Sequence, residues 1–218
     1  MHPQAAPTTS PDGAASLLAC LERTWQAIRQ RHAEVPEAVL VVASGTEGKR
    51  LNLGHFAAHR WQVHGNDRHE VLVGGEGLQR GAVDVLSTLL HEAAHGLAHA
   101  RGLRDTSRQG RYHNKRYAQL AVELGLDVAV QQPIGWSHTT IPEPTAGRYA
   151  AELEELAAAL VLWRRLELRA ATGGTARNLL ACTCGCGRRI RVAKATLAAA
   201  PILCARCQAP FQPDDQEL

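Results

Sequence analysis

The sequence predicts an α+β protein in which helices pack on a small sheet, followed by a small cysteine-rich module. Three observations carry this. Apolar residues recur at helical spacing in several long stretches. Short β-branched runs bounded by turn residues lie between the first two of those stretches. Five of the six cysteines crowd into residues 182–207. At 218 residues the chain exceeds a typical single domain and has room for one main core plus an accessory module.

Residues 1–13, rich in Pro, Thr and Ala, read as a disordered tail. They contain no basic stretch leading into an apolar one, so no secretory signal is expected. The crowded cysteines then favour metal ligation in a reducing cytoplasm over a disulfide framework. No run approaches the roughly 18 apolar residues needed to cross a bilayer, so no membrane partner is expected. A net charge of +3 is too small to make the whole chain a nucleic-acid binder, although the charge is unevenly spread.

Leu18, Leu21, Trp25 and Ile28 mark one face of a helix over residues 14–32, with Cys20 beside the stripe as a packing residue. Pro36 stops it, and the β-branched run at residues 38–43 is a strand. Weaker strands are expected at 51–56 and 59–64, then a turn at Gly65-Asn66-Asp67 and a strand at 70–73. His55, His59, His64 and His69 fall irregularly across this region and read as half-exposed strand and loop residues. The functional alternative is a sheet edge that borders a cleft and holds an extended peptide by strand addition. Gly74-Gly75-Glu76-Gly77 lacks phosphate-loop spacing and reads as a tight strand-to-helix connection.

The helix that follows, residues 81–100, carries His91-Glu92-Ala93-Ala94-His95. Residues four apart lie one turn above each other, so both imidazoles can address one metal ion about 2.0 to 2.1 Å away. Glu92, on nearly the same side, is placed to take a proton from a water molecule beside that metal. A catalytic zinc needs a third protein ligand. His99 lies another turn, about 6 Å, along the helix and reads as a supporting or surface residue. The H-E-x-x-H-x-x-G-x-x-H pattern fails, because Ala98 and Arg101 occupy its glycine and last histidine positions. Glu123 is conceivable. His113 is better placed, since residues 103–111 form a polar loop long enough to reverse direction and a second helix runs from residue 112 or 113 to 124, closed by Gly125.

With His91-Glu92-Ala93-Ala94-His95, that loop, and Gly110-Arg111-Tyr112-His113-Asn114-Lys115-Arg116-Tyr117, residues 14–126 resemble the SprT-like (Spartan-like) zinc metallopeptidases. In that family the third histidine opens the following helix, an aromatic sits four residues later, and bacterial members add a C-terminal cysteine module. The resemblance implies a zincin-like metallopeptidase domain, zinc on His91, His95 and His113, and Glu92 as general base. It also implies a protein or peptide substrate, in the best-understood members a protein bound or crosslinked to DNA. Residues 101–110 lack a tryptophan that some members carry, and Gly135-Trp136-Ser137 maps to no motif of the family.

Residues 147–171 are helical in composition, with Tyr149, Leu153, Leu156, Leu160 and Trp163 as an apolar seam that completes a domain over 14–171. Residues 172–178 read as a linker, 179–213 as a zinc ribbon and 214–218 as an acidic tail. In the ribbon, Cys182-Thr183-Cys184-Gly185-Cys186 is followed by seventeen residues and then Cys204-Ala205-Arg206-Cys207. Two close cysteine pairs across a hairpin-length segment make a structural zinc site, which a module this small needs as a staple. Cys184, Cys204 and Cys207 belong to both ligand schemes considered; Cys186 is the first choice for the fourth position and Cys182 the alternative.

Arg188, Arg189, Arg191, Lys194 and Arg206 are the charged residues between 179 and 211, with no acid among them. A wholly basic module is a candidate DNA-contacting surface; a solvated positive face or a protein-docking knuckle is the alternative. No aromatic is interleaved to stack bases, and Asp214, Asp215 and Glu217 can mask the patch. The expectation is a cytoplasmic zinc metallopeptidase with one catalytic and one structural zinc ion. Its competitor is a non-catalytic zinc protein recruited to nucleic acid or protein through the ribbon.

Overall fold

The computed structural model describes residues 13–47, 50–166 and 179–214 of the chain. The expected tail before Gly13, the end of the helix expected over residues 147–171, the linker and the last four residues lie outside them. The chain divides into two compact units between Glu167 and Leu168. No helix among the described residues is long and apolar enough to cross a membrane.

The first unit is mixed α and β. Helix α1 (Ala14–Arg31) buries Leu17, Cys20, Leu21, Trp25 and Ile28, whereas Leu18, expected on that face, is 37% exposed and Leu17 takes its place; the Trp25 indole N–H donates to the Pro36 carbonyl at 3.2 Å. Strand β1 (Ala38–Ala43) follows, then a two-residue hairpin, β2 (Thr46–Glu47) and β3 (Arg50–Leu51). The two weak strands expected next are one long strand, β4 (Gly54–Val63), which turns at Gly65 into β5 (Asn66–Gly74). The sheet order is β1-β5-β4, with β1 parallel and β4 antiparallel to the central strand. Leu40, Val71 and Val73 sink from this sheet into the core beside the α1 stripe.

A 3-10 turn (Gly75–Arg80) makes the tight connection to α2 (Ala82–Ala100). The turn's Glu76 is buried and accepts from the Gly45 N–H at 2.8 Å and the Thr46 hydroxyl at 2.9 Å, tying β5's exit to the β2 hairpin. Helix α2 is apolar on nearly every side and occupies the middle of the core. It ends where Gly102 takes φ 62 and the Leu103 N–H bonds back to the Ala98 carbonyl at 2.8 Å, a left-handed stop that glycine reaches without steric cost. Gly125, at φ 92, closes α3 (Lys115–Glu123) in the same way.

Several expectations need correction. The loop after α2 contains two-residue strands β6 (Thr106–Ser107) and β7 (Tyr112–His113). His113 therefore lies before the second helix and not in it; Asn114 caps that helix, accepting from the Arg116 and Tyr117 N–H groups at 2.8 and 3.2 Å. Residues after α3, given no strand by the sequence, form β8 (Asp127–Gln131) and β9 (Gly135–Thr140), in a sheet of order β6-β7-β9-β8. The expected long helix is two short ones, α4 (Glu143–Arg148) and α5 (Ala150–Ala159), and residues 160–166 are not helical. Of its seam, Tyr149 and Leu156 are fully buried, Leu153 and Leu160 pack on the core, and Trp163 is 53% exposed.

The second unit is a three-stranded sheet of order β11-β10-β12, from β10 (Leu179–Thr183), β11 (Arg189–Ala193) and β12 (Gln212–Pro213), with helix α6 (Lys194–Ala199). Its core is Cys182, Cys184, Val192, Cys204 and Phe211. So few apolar side chains supply little burial energy, and the sulfur cluster sits where a larger domain would have a core.

Candidate functional site

His91 and His95 lie one turn apart on α2, and β7 carries His113 across from them because β6 pairs with β7 and returns the chain to the helix. The Nε2 of His113 lies 3.2 Å from that of His91 and 3.1 Å from that of His95. Ligands about 2.0 to 2.1 Å from a tetrahedral metal lie roughly 3.4 Å from one another, so the three nitrogens outline one face of such a site. Each ring is held from behind. His95 Nδ1 is 2.5 Å from Asp105 Oδ2, His91 Nδ1 is 3.3 Å from Thr139 Oγ1, and His113 Nδ1 is 3.3 Å from the Ile134 carbonyl. A carboxylate or carbonyl on Nδ1 keeps the proton there and leaves the Nε2 lone pair forward. These residues could hold a metal ion.

Tyr117, fully buried on α3, is the floor. Its ring centroid is 4.8, 4.7 and 4.5 Å from those of His91, His95 and His113. Burial, then the charges of Glu92 and Asp105, hold its hydroxyl well above the ordinary tyrosine range, so the phenol is neutral. Burial also lowers the pKa of His91 well below the ordinary histidine value, and that of His113 to about 4, with the neighbouring imidazoles acting in the same direction. Neutral imidazole is the form that ligates.

Glu92 is 4% exposed, and burial raises its pKa to about 7, against the opposing effects of His95 and a hydrogen bond from the Phe56 backbone N–H. A cation held by the three imidazoles would act downward on it. The edge strand β4 presses on this carboxyl at Gly54, where an added Cβ would lie 2.6 Å from Glu92 Oε1 and 2.7 Å from Thr88 Cγ2. Only glycine allows that approach. A cleft of about 880 Å³ opens over the group, walled by Leu51 to Phe56 on one side and by Ile134 and Ser137 to Thr140 on the other.

The other candidates lie elsewhere. Glu123 is 2.7 and 2.8 Å from the Arg101 guanidinium, which also holds Glu34, and takes no part in the histidine group. His99 turns away from the triad toward His59 and His69, its ring centroid 5.3 and 5.0 Å from theirs. Asp105, Thr139, Ile134 and Gly54 have no counterpart among the residues that the sequence singles out. Asp105 alone had a visible signal, a carboxylate in the polar loop between two candidate ligands; the others depend on a hairpin and a strand edge that only folding brings near.

In the second unit Cys184, Cys186, Cys204 and Cys207 converge and could hold a metal ion. Cys184 Sγ is 3.3 Å from Cys186 Sγ, which is 3.8 Å from Cys204 Sγ; thiolates about 2.3 Å from a tetrahedral zinc would lie roughly 3.8 Å apart. Backbone N–H groups of Cys207 and Arg206 lower the Cys204 thiol to about 6, toward the thiolate that binds metal. Cys182, the alternative fourth ligand, stands outside the cluster and is buried in the small core. Of the five cations there, Arg189 is paired with Asp214 at 2.5 Å and Arg188 lies 3.9 Å from Cys204 Sγ.

Compared with protein-family models, with curated proteins and with solved structures, the chain matches none of them.

Proposed function

We propose that the first unit is a zincin-like, SprT-like metallopeptidase that hydrolyses peptide bonds, with His91, His95 and His113 as the ligands of a catalytic zinc ion. The observation that carries this reading is the triad of forward-facing Nε2 atoms, each backed by a hydrogen-bonding partner on Nδ1, with a buried carboxyl on the next residue of the same helix. A structural site has no use for that carboxyl. Bound zinc would supply the Lewis acidity that polarises a peptide carbonyl and makes water acidic enough to react near neutral pH.

The remaining chemistry belongs to the chain. Glu92, held by the Phe56 N–H, takes one proton from the attacking water as the new C–O bond forms, and returns it to the departing amine nitrogen as the C–N bond breaks. Burial raises its pKa and a bound cation would lower it, and these opposing effects let one carboxyl both accept and return the proton. Strand β4 is an outer strand of its sheet and lines the cleft, which suits an extended peptide laid alongside it. Asp105 and the Ile134 carbonyl keep the histidines from turning. The second unit is read as a zinc ribbon on Cys184, Cys186, Cys204 and Cys207, and its cations, with the SprT-like resemblance, make DNA-associated proteins the proposed substrate class.

Glu92→Gln tests the reading. The variant should keep its fold and its metal and lose cleavage of an unstructured protein by about 10² to 10⁴. Wild-type cleavage by Glu92→Gln would refute the mechanism. A wild type that binds DNA through the ribbon yet cuts nothing, with or without single-stranded DNA, would favour the non-catalytic binding protein.

A further inference from the structure

A second histidine group lies outside the triad and the ribbon. His59, His69 and His99 come from three elements, β4, β5 and α2, yet each offers a ligand nitrogen within 4.8 Å of the others. Their rings meet edge to face, with centroids 4.8, 5.3 and 5.0 Å apart.

The backbone goes out of its way to make this group. Ala57 pairs with Glu70 and Trp61 with Arg68, so β4 spends four residues where β5 spends two. The excess bulges, and within it His59 takes φ 54, the left-handed region that a histidine enters rarely. That conformation turns the His59 ring onto His69. His69 stands two and four residues before Val71 and Val73, on the same face of β5, where that face leaves the core. His99 comes from the last turn of α2, one turn beyond His95.

We propose that His59, His69 and His99 form a third cation site, which takes one borderline divalent ion of the zinc or nickel class and staples the β4 bulge to the end of α2. Imidazole is the ligand of choice for such ions, and neutral histidine presents a lone pair near neutral pH. The His59 backbone N–H lies 3.2 Å from His69 Nδ1 and marks that nitrogen as a lone-pair acceptor; the ion takes the same lone pair in exchange for one exposed hydrogen bond. Asp67 Oδ2, 3.6 Å from His59 Nδ1, adds negative charge behind the group. Three protein nitrogens at the surface leave the other positions to water, so the site binds reversibly. The staple also reaches the cleft. Phe56, whose N–H holds Glu92, has its ring 5.5 and 6.0 Å from those of His69 and His99, and His99 lines the cleft wall.

Equilibrium dialysis of the full chain against micromolar free zinc, read by metal analysis, tests the site without reference to catalysis. His69→Ala, His99→Gln and His59→Asn, the last chosen because asparagine tolerates a positive φ, should each hold one equivalent fewer than the wild type. The affinity for that equivalent should fall more than about tenfold, since even losing a group behind a ligand costs about 10- to 100-fold. The comparison is a difference, so it stands whatever number of ions the triad and the cysteines hold. Variants on three elements keep it from depending on the folding of any one. Equal zinc content in the wild type and all three variants overturns the proposal.

Discussion

At the scale of single residues, the candidate centre is decided by what stands behind each ligand. The three imidazoles could rotate on their Cβ atoms; Asp105, Thr139 and the Ile134 carbonyl select one orientation, and the carboxylate and the carbonyl, being acceptors, also select one tautomer. Asp105 is the strongest of these because it sets a carboxylate on His95 in a partly buried contact. Asp105→Asn keeps the shape and removes the charge. It should weaken zinc binding at the triad by about 10- to 100-fold while leaving the metal of the second unit in place, as read by competition with a chromophoric chelator. Unchanged affinity would mean that the carboxylate does not orient His95.

At the scale of elements, two buried contacts hold neighbouring segments together. The first is the approach of β4 to α2 at Gly54. Gly54→Ala should keep the metals of the triad and of the cysteine cluster but displace the Glu92 carboxylate, so that kcat for peptide cleavage falls at least about tenfold with a smaller change in KM. The second is Glu76. Burial alone would raise its pKa, but hydrogen bonds from Gly45, its own N–H, Thr46 and Ser44 outweigh that and hold it below the ordinary glutamate range. A carboxyl whose folded pKa is depressed contributes stability that is fully present above its unfolded pKa and is lost as pH falls toward the folded one. Glu76→Gln should destabilise the first unit by roughly 3 kcal/mol near neutral pH, because donors lose a charged acceptor. Urea midpoints should show the gap from wild type narrowing below the ordinary glutamate range; a gap that is constant with pH would rule the linkage out.

At the scale of the whole molecule, the division near Glu167 separates two units with separate cores and separate ligand sets. Truncation after Thr172 should remove one zinc equivalent, leave the thermal transition of the first unit within a few degrees, and flatten the salt dependence of any DNA binding. Each phosphate that the shortened chain leaves unneutralised reduces the steepness of log K against log salt by about 0.9. The Arg189–Asp214 pair already engages one of the five cations, so the expected flattening is smaller than five free cations would produce. An unchanged slope would place DNA binding outside the second unit or remove it from the account.

Much of the arrangement was legible in residues alone, for a physical reason: local periodicity reports which face of a segment is buried. The stripe of α1, the run of β1, the helix carrying His91 and His95, and the glycines that end α2 and α3 are local facts, and the helix pitch by itself sets the two histidines on one face. The crowding of Cys184, Cys186, Cys204 and Cys207 is equally local, and spacing narrowed the fourth ligand to two candidates before geometry brought Cys186 into the cluster and buried Cys182. What periodicity could not carry was pairing. Strands β6 and β7 are two residues long, too short for any alternation to register, yet their pairing moves His113 out of the helix and onto the triad. The β8–β9 hairpin, which supplies Thr139 and lies beside the Ile134 carbonyl, has residues of mixed polarity because much of it is solvent-exposed. The bulge that turns His59 toward His69 and His99 arises from register between strands, a property no single strand possesses. Residue order alone thus specifies the helical histidine pair, the carboxyl beside it and the cysteine cluster. What stands behind those side chains is specified by folding, because approaches between distant segments are set by packing and leave no period in the chain.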